Sequence, residues 1–249
     1  MLANNETGII QPIAELGRLV RAHGSYLICD TVQALGKIDF DFATLGADAI
    51  FVSAHKIGGL PGVGAIIHAP GANIGSPLIR GGAQESNFRA GTENLPGIAA
   101  FGAASRVLAQ KSGEERLKIK ALRDFMEARL CSISKECAVA GASQPRLGNT
   151  TYMTVQGRKA ETLVIALDLA GIAVGAGSAC TSGKLSPSHV LTAMGKTAEE
   201  AQSKVAAVAN PIITGLKSKG IEEKDLKTAG FNTYPVYDYP SVAPCYAGA

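Results

Sequence analysis

The sequence predicts an α/β fold. Three short apolar runs read as strands: Tyr26-Leu27-Ile28-Cys29, Ala49-Ile50-Phe51-Val52-Ser53 and Gly64-Ala65-Ile66-Ile67-His68. The stretches before the first and between the first two carry apolar residues at helical spacing. Polar residues stand at the strand ends, Asp30 after the first and Ser53 to Lys56 after the second. In open α/β sheets ligands gather at those carboxyl ends.

Taken in order, the chain opens on a polar, turn-like run, Asn4-Asn5-Glu6-Thr7-Gly8. Residues 12–23 place Ile13, Leu16, Leu19 and Val20 on one helical face, and Gly24 follows as a stop. Gly17 interrupts that pattern. The run from Tyr26 reads as a buried strand ending at Asp30, and a helical stretch with a turn leads to a second buried strand. Gly58, Gly59 and Gly62 then turn the chain into the third. Residues 95–130 read as helix with a break near Ser112-Gly113, the candidate domain boundary. Beyond it, 148–155 is strand-like, 160–169 helix-like and 172–174 a short strand. The segment from Gly175 to Gly183 is small, polar and flexible, with Cys180 inside it. A helix is expected over 187–194 and another over 199–216, which Pro211 should kink. The tail from Gly230, rich in Tyr, Pro and Ala, reads as irregular. The resulting division is 1–111, 112–229 and a tail, 230–249.

Composition narrows the function classes. Of 249 residues, 46% are hydrophobic and 18% charged, an ordinary globular balance, and a net charge of +3 with scattered Lys and Arg gives no nucleic-acid footprint. No apolar run is long enough for a membrane span. The first residues lack the basic and apolar regions of a secretory leader. The five cysteines, Cys29, Cys131, Cys137, Cys180 and Cys245, are odd in number and irregular in spacing. That argues against a disulfide framework or zinc site and for a reducing, cytoplasmic compartment.

Three positions carry candidate chemistry. Lys56 follows a buried strand and precedes glycines, so its stem can be enclosed and its amine desolvated into a nucleophile; a surface lysine in a turn is the plainer reading. Asp30 ends an apolar strand and needs a partner. It could cap a helix, or hold a proton on a pyridine nitrogen as pyridoxal phosphate requires, with Gln33 in reach of the same ring. Cys180 has only small neighbours, so its thiol can be exposed and mobile, which suits sulfur transfer. Cys29, Cys131 and Cys137 read as buried, inert thiols.

These pieces occur together in one family. The chain resembles the cysteine desulfurases of the NifS and IscS types, fold type I enzymes related to class V aminotransferases. The resemblance rests on Leu2-Ala3-Asn4-Asn5-Glu6-Thr7-Gly8, Asp30-Thr31-Val32-Gln33-Ala34-Leu35-Gly36-Lys37, Ser53-Ala54-His55-Lys56-Ile57-Gly58-Gly59, Arg89-Ala90-Gly91-Thr92-Glu93-Asn94 and Gly177-Ser178-Ala179-Cys180-Thr181-Ser182-Gly183, in family order. It implies part of a pyridoxal-phosphate-binding large domain, with a mixed sheet and helices, followed by a small α+β domain. It also implies roles. Lys56 binds the cofactor's aldehyde and shuttles the substrate's α-proton. Asp30 pairs with the ring nitrogen, Gln33 bonds the ring hydroxyl, and Ser53 and His55 hold the phosphate. Thr92 reaches the phosphate of a neighbouring subunit in a homodimer, and Asn5 contacts substrate and cofactor. Cys180 takes sulfur from L-cysteine as a persulfide, leaving L-alanine, and passes it to an iron–sulfur scaffold or a thiolation protein.

The sequence departs from that family in three places. It lacks the long N-terminal part, with its phosphate loop and ring-stacking histidine. By the resemblance the expected substrate-clamping arginine falls at Ala206, and Lys204 cannot make the same planar fork. The stretch Gly82-Ala83-Gln84-Glu85-Ser86-Asn87-Phe88 has lost basic residues. The expectation is therefore an N-terminally truncated chain that binds the cofactor weakly and desulfurates poorly. The near rivals are a selenocysteine lyase or a class V aminotransferase; the rival of another class is a non-catalytic chain pairing with a full-length subunit.

Overall fold

The computed structural model describes residues 1–72, 75–110, 113–158, 160–175 and 188–196. Helix α1 (Ile13–Ala22) matches the expected helix, with Glu15 in its first turn and Arg21 in its last, each of the sign the helix dipole favours. It buries Ile13 and Gly17. Strand β1 (Ile28–Asp30) follows. Helix α2 (Phe42–Leu45) is capped by Asp41, whose carboxylate accepts from Ala43 N at 2.8 Å, and ends on Gly46 in the left-handed conformation. Strand β2 (Ala49–Ser53) and strand β3 (Gly64–His68) fall where the apolar runs place them.

β1 pairs parallel with β2, and β2 antiparallel with β3, so the order is β1-β2-β3 in a mixed sheet. One face is packed. Cys29 and Ile50 point into a core with Leu2, Ile13 and Leu45, and Val52 is buried on the same side of the sheet. Among the described residues the other face is open around Ile28, Phe51 and Ile66, which are 54%, 38% and 55% exposed, with Ala49 buried between them, and all of β3 is exposed. The expectation that the first two strands are buried therefore holds for one face only. The alternation is that of a half-covered sheet.

Gly17, which weakened the helical pattern, has a packing reason. A Cβ there would lie 2.7 Å from the Leu45 carbonyl oxygen. The missing side chain is what lets α1 and α2 pack together.

Helices α3 (Leu95–Gln110) and α4 (Gly113–Ile133) replace the single expected helix, divided at the expected break. Strand β4 (Cys137–Val139) has no counterpart in the sequence reading and pairs antiparallel with β5 (Met153–Val155). β5 is shorter than the strand-like stretch 148–155. Helix α5 (Ala160–Leu169) falls as expected, but 172–174 forms no strand. Helix α6 (His189–Ala193) lies within the expected 187–194. The expected helix over 199–216 and the tail lie outside the described residues.

The first residues bind the two ends together. Leu2 N donates to Asp30 O at 2.7 Å beside β1, Ile10 N to Pro145 O at 2.9 Å, and Leu147 N to Gly8 O at 2.8 Å. Leu147 shares the core of the three-stranded sheet. Glu6, with its side chain 2% exposed, accepts from Ser188 Oγ at 2.6 Å across 182 positions of sequence. Ser188 also caps α6 by accepting from Leu191 N at 3.2 Å.

Candidate active site

Because β1 and β2 run parallel, Asp30 and Ser53 finish on the same edge of the sheet. The pairing continues one residue past β1. Buried Thr31 donates to the Phe51 carbonyl through both its N–H, at 3.1 Å, and its hydroxyl, at 2.7 Å. The chain then folds at once: Ala34 N and Leu35 N both donate to Thr31 O. This tight turn keeps Gln33 next to the strand ends. Asp30 Oδ1 accepts from Val32 N at 2.8 Å, and the residue is exposed. Asp30 ends the strand as expected but lies on the open face, where its partner among the described residues is Val32 N.

After β2 the chain makes a 3-10 turn, Ala54–Lys56. Ala54 is fully buried, donates to Val63 O at 3.0 Å and accepts from Gly59 N at 2.9 Å. A Cβ at Gly59 would lie 3.0 Å from the Ala54 Cβ, so glycine fits the close return. The turn projects three polar side chains. Ser53 Oγ and His55 Nδ1 share a hydrogen bond of 2.8 Å. Lys56 is half-buried and has no hydrogen bond or ion pair among the described residues.

Two further residues complete the setting. Lys37 Nζ donates to Gln33 Oε1 at 2.8 Å. Burial, and then the Lys56 charge, push the Lys37 amine down to about 8. The sequence motif contains Lys37, and its one-turn spacing from Gln33 was the signal that could have singled it out. Asn4, not Asn5, builds the opening turn: its Oδ1 accepts from Glu6 N and Thr7 N, both at 2.9 Å. Asn5 is left exposed, on the segment whose Leu2 bonds the end of β1.

The structure thus brings Asp30, Gln33, Ser53, His55 and Lys56 to one sheet end, with Asn5 on the adjoining segment. Thr92 stands apart and exposed on the loop before α3, its carbonyl accepting from Arg89 at 3.1 Å. α3 packs on the turn that carries Lys56. Cys180 lies outside the described residues. Of the thiols expected to be inert, Cys29 is buried and pushed up by burial, and Cys137 is pushed up to about 12 by burial and by Cys131. Cys131 departs from the expectation: it is exposed at the end of α4. A cleft of about 500 Å3 lies against α4, lined by Arg123, Glu127, Cys131 and Arg146, and none of the sheet-end residues lines it. Among the described residues no cluster could hold a metal ion and no helix is long and apolar enough to cross a membrane.

Residues 1–201 match the class V aminotransferase family. The chain belongs to that family. Residues 188–248 also match a family described as a protein of unknown function (DUF541). Ala206, where the sequence reading placed the missing arginine, falls past the class V match and inside the second one. A cysteine desulfurase of Bradyrhizobium diazoefficiens is 44% identical over 194 residues, which cover 78% of this class V chain and 49% of the relative. The chain therefore spans about half the length of the curated relatives it matches. A NifS-like protein of Rickettsia africae superposes with a TM-score of 0.74 at 33% identity, covering 88% of this chain and 61% of that one. SspA in complex with cysteine superposes at 0.62 and 26% identity, covering 81% and 55%. The expected fold type I architecture stands on these likenesses, and the class V family implies the use of pyridoxal phosphate.

Proposed function

We propose that this chain carries the chemistry of a cysteine desulfurase, converting L-cysteine to L-alanine with the sulfur held on Cys180. The observation that carries the reading is the convergence of Asp30, Gln33, Ser53, His55 and Lys56 at the carboxyl ends of two parallel strands. The donor set suits pyridoxal phosphate. It offers a carboxylate, an amide, a hydroxyl–imidazole pair and an amine that no acidic partner neutralises among the described residues. When bound, this group supplies an aldehyde for an amino group and a protonated ring that accepts electrons from the α-carbon.

The residues divide the work. Asp30 holds the proton on the ring nitrogen, and Gln33 donates to the ring hydroxyl. Ser53 and His55 hold the phosphate, and Asn5 contacts substrate and cofactor. Lys56 Nζ holds the aldehyde carbon and carries a proton to and from the substrate's α-carbon. The Cys180 thiolate attacks the substrate's sulfur: a sulfur–sulfur bond forms, the carbon–sulfur bond breaks, and its electron pair stays with the carbon that becomes the alanine methyl on protonation. Thr92 reaches the phosphate of a neighbouring copy in a homodimer. The sulfur passes to an acceptor protein, such as an iron–sulfur scaffold, in a reducing cytoplasm. The names of the relatives, and the cysteine bound by SspA, support this reading.

The chain is tested with pyridoxal phosphate, borohydride and peptide mapping, then with L-cysteine. The expected result is a label on Lys56, one alanine per sulfur removed, and a persulfide that Cys180→Ser abolishes while the label stays. A label confined to other lysines, or alanine formation unaffected by Lys56→Ala, refutes the reading.

A further inference from the structure

The turn after β1 carries Gln33 and Lys37 one helical step apart, joined by the 2.8 Å bond from Lys37 Nζ to Gln33 Oε1. An ammonium has donors only, so the atom facing it must be the amide oxygen. The amide's other end, the NH2, is then the one left to donate. Without Lys37 the carboxamide could turn over and present its oxygen instead. Two acceptors would face each other wherever the ligand offers a deprotonated oxygen such as a phenolate, and such a pairing forfeits the bond.

The placement of Lys37 is otherwise costly. Its side chain is half-buried, it stands within electrostatic reach of a second amine, Lys56, and its side chain bonds Gln33. No carboxylate pairs with it among the described residues. Burying a charge beside a like charge destabilises a fold unless something is gained elsewhere. The backbone nevertheless pins Lys37 in place, since its N–H donates to Ala34 O at 2.9 Å.

We propose that Lys37 is a positioning residue: it fixes the Gln33 carboxamide with its NH2 end free to donate to the ring oxygen of pyridoxal phosphate in its phenolate form. This rests on the cofactor reading above and adds to it the device that sets the polarity of one contact.

The experiment titrates pyridoxal phosphate into the wild-type chain and into Lys37→Met, Gln33→Ala and the double variant, recording affinity and the absorption maximum of the bound cofactor. Lys37→Met should weaken binding by about 5-fold, in the range of one hydrogen bond. It should also move the absorption maximum in the same direction as Gln33→Ala. The double variant should be no worse than Gln33→Ala alone, because both substitutions remove one contact. Lys37→Arg keeps a donor-only cation and should restore the wild-type maximum. The proposal is overturned if Lys37→Met leaves affinity and maximum unchanged, if the two losses multiply in the double variant, or if Lys37→Arg behaves like Lys37→Met. Borohydride labelling of Lys56 in the wild type separates the two levels. A labelled Lys56 with an unmoved Lys37→Met maximum overturns this proposal alone, and an unlabelled Lys56 overturns the cofactor reading together with it.

Discussion

Arg146 and Glu127 hold each other by two hydrogen bonds of 2.7 Å, with side chains only 4% and 12% exposed. Burial by itself would raise the Glu127 carboxyl, but the bonds from Arg146 and Thr151 outweigh it and hold the carboxyl below its usual 4.5. A carboxyl depressed in the folded state stabilises the fold above its unfolded value, and that contribution is lost as the pH falls through the folded value. Arg146→Met should therefore cost about 1–3 kcal/mol at neutral pH, the loss of two charge-assisted bonds at a part-buried carboxylate that keeps the Thr151 hydroxyl and the nearby Arg123. The variant's stability should also be less sensitive to acid than the wild type's below about pH 4.5; denaturant melts at pH 7 and pH 4 measure both. At this scale the sequence was legible where a polar residue ends an apolar run. Asp30, Ser53, His55 and Lys56 all do so, and the structure brings them together. Lys37 lies within a motif, but its meaning lies in the atom it bonds, which no local pattern shows. Glu6 and Ser188 were illegible, because no local spacing links side chains 182 positions apart.

The contact of α1 with α2 turns on Gly17. In an exposed helix, replacing glycine by alanine stabilises by roughly 0.5–1 kcal/mol. Here the added methyl would meet the Leu45 carbonyl oxygen at 2.7 Å. Gly17→Ala should instead destabilise by about 1–3 kcal/mol, as overpacking does, and lower the melting temperature by several degrees. A higher melting temperature would show that α2 moves aside without cost. Elements were legible when their pattern was local. β2 and β3 are apolar runs bracketed by polar or glycine residues, and α5 is a compact apolar stretch. β4 escaped because Cys137–Val139 is short and follows a helix closely, so only its pairing with β5 defines it. Residues 172–174 have the β-branched composition of a strand, but no described strand pairs with them, and composition does not supply a partner.

Among the described residues, the open sheet face is an exposed apolar surface. Phe51 and Ile66 are directly opposed on it, and Ile28 lies on the same side. Such a face binds hydrophobic dyes. Ile66→Thr keeps a β-branched residue in β3 and should change stability by no more than about 0.5 kcal/mol. It should nevertheless lower the fluorescence of bound anilinonaphthalene sulfonate; an unchanged signal would place the dye elsewhere. The α/β class was readable from the sequence, whereas the one-sided packing was not, because an apolar strand reads the same whether one face or both are covered. The bond between Glu6 and Ser188 also sets an order of events. On a ribosome Glu6 emerges before its hydroxyl partner, which follows 182 residues later. Until then the carboxylate lacks that donor, and the opening segment cannot settle fully into the site where Ser188 later meets it. A nascent chain stopped before position 188 should therefore keep the segment around Glu6 open to proteases that the finished fold resists.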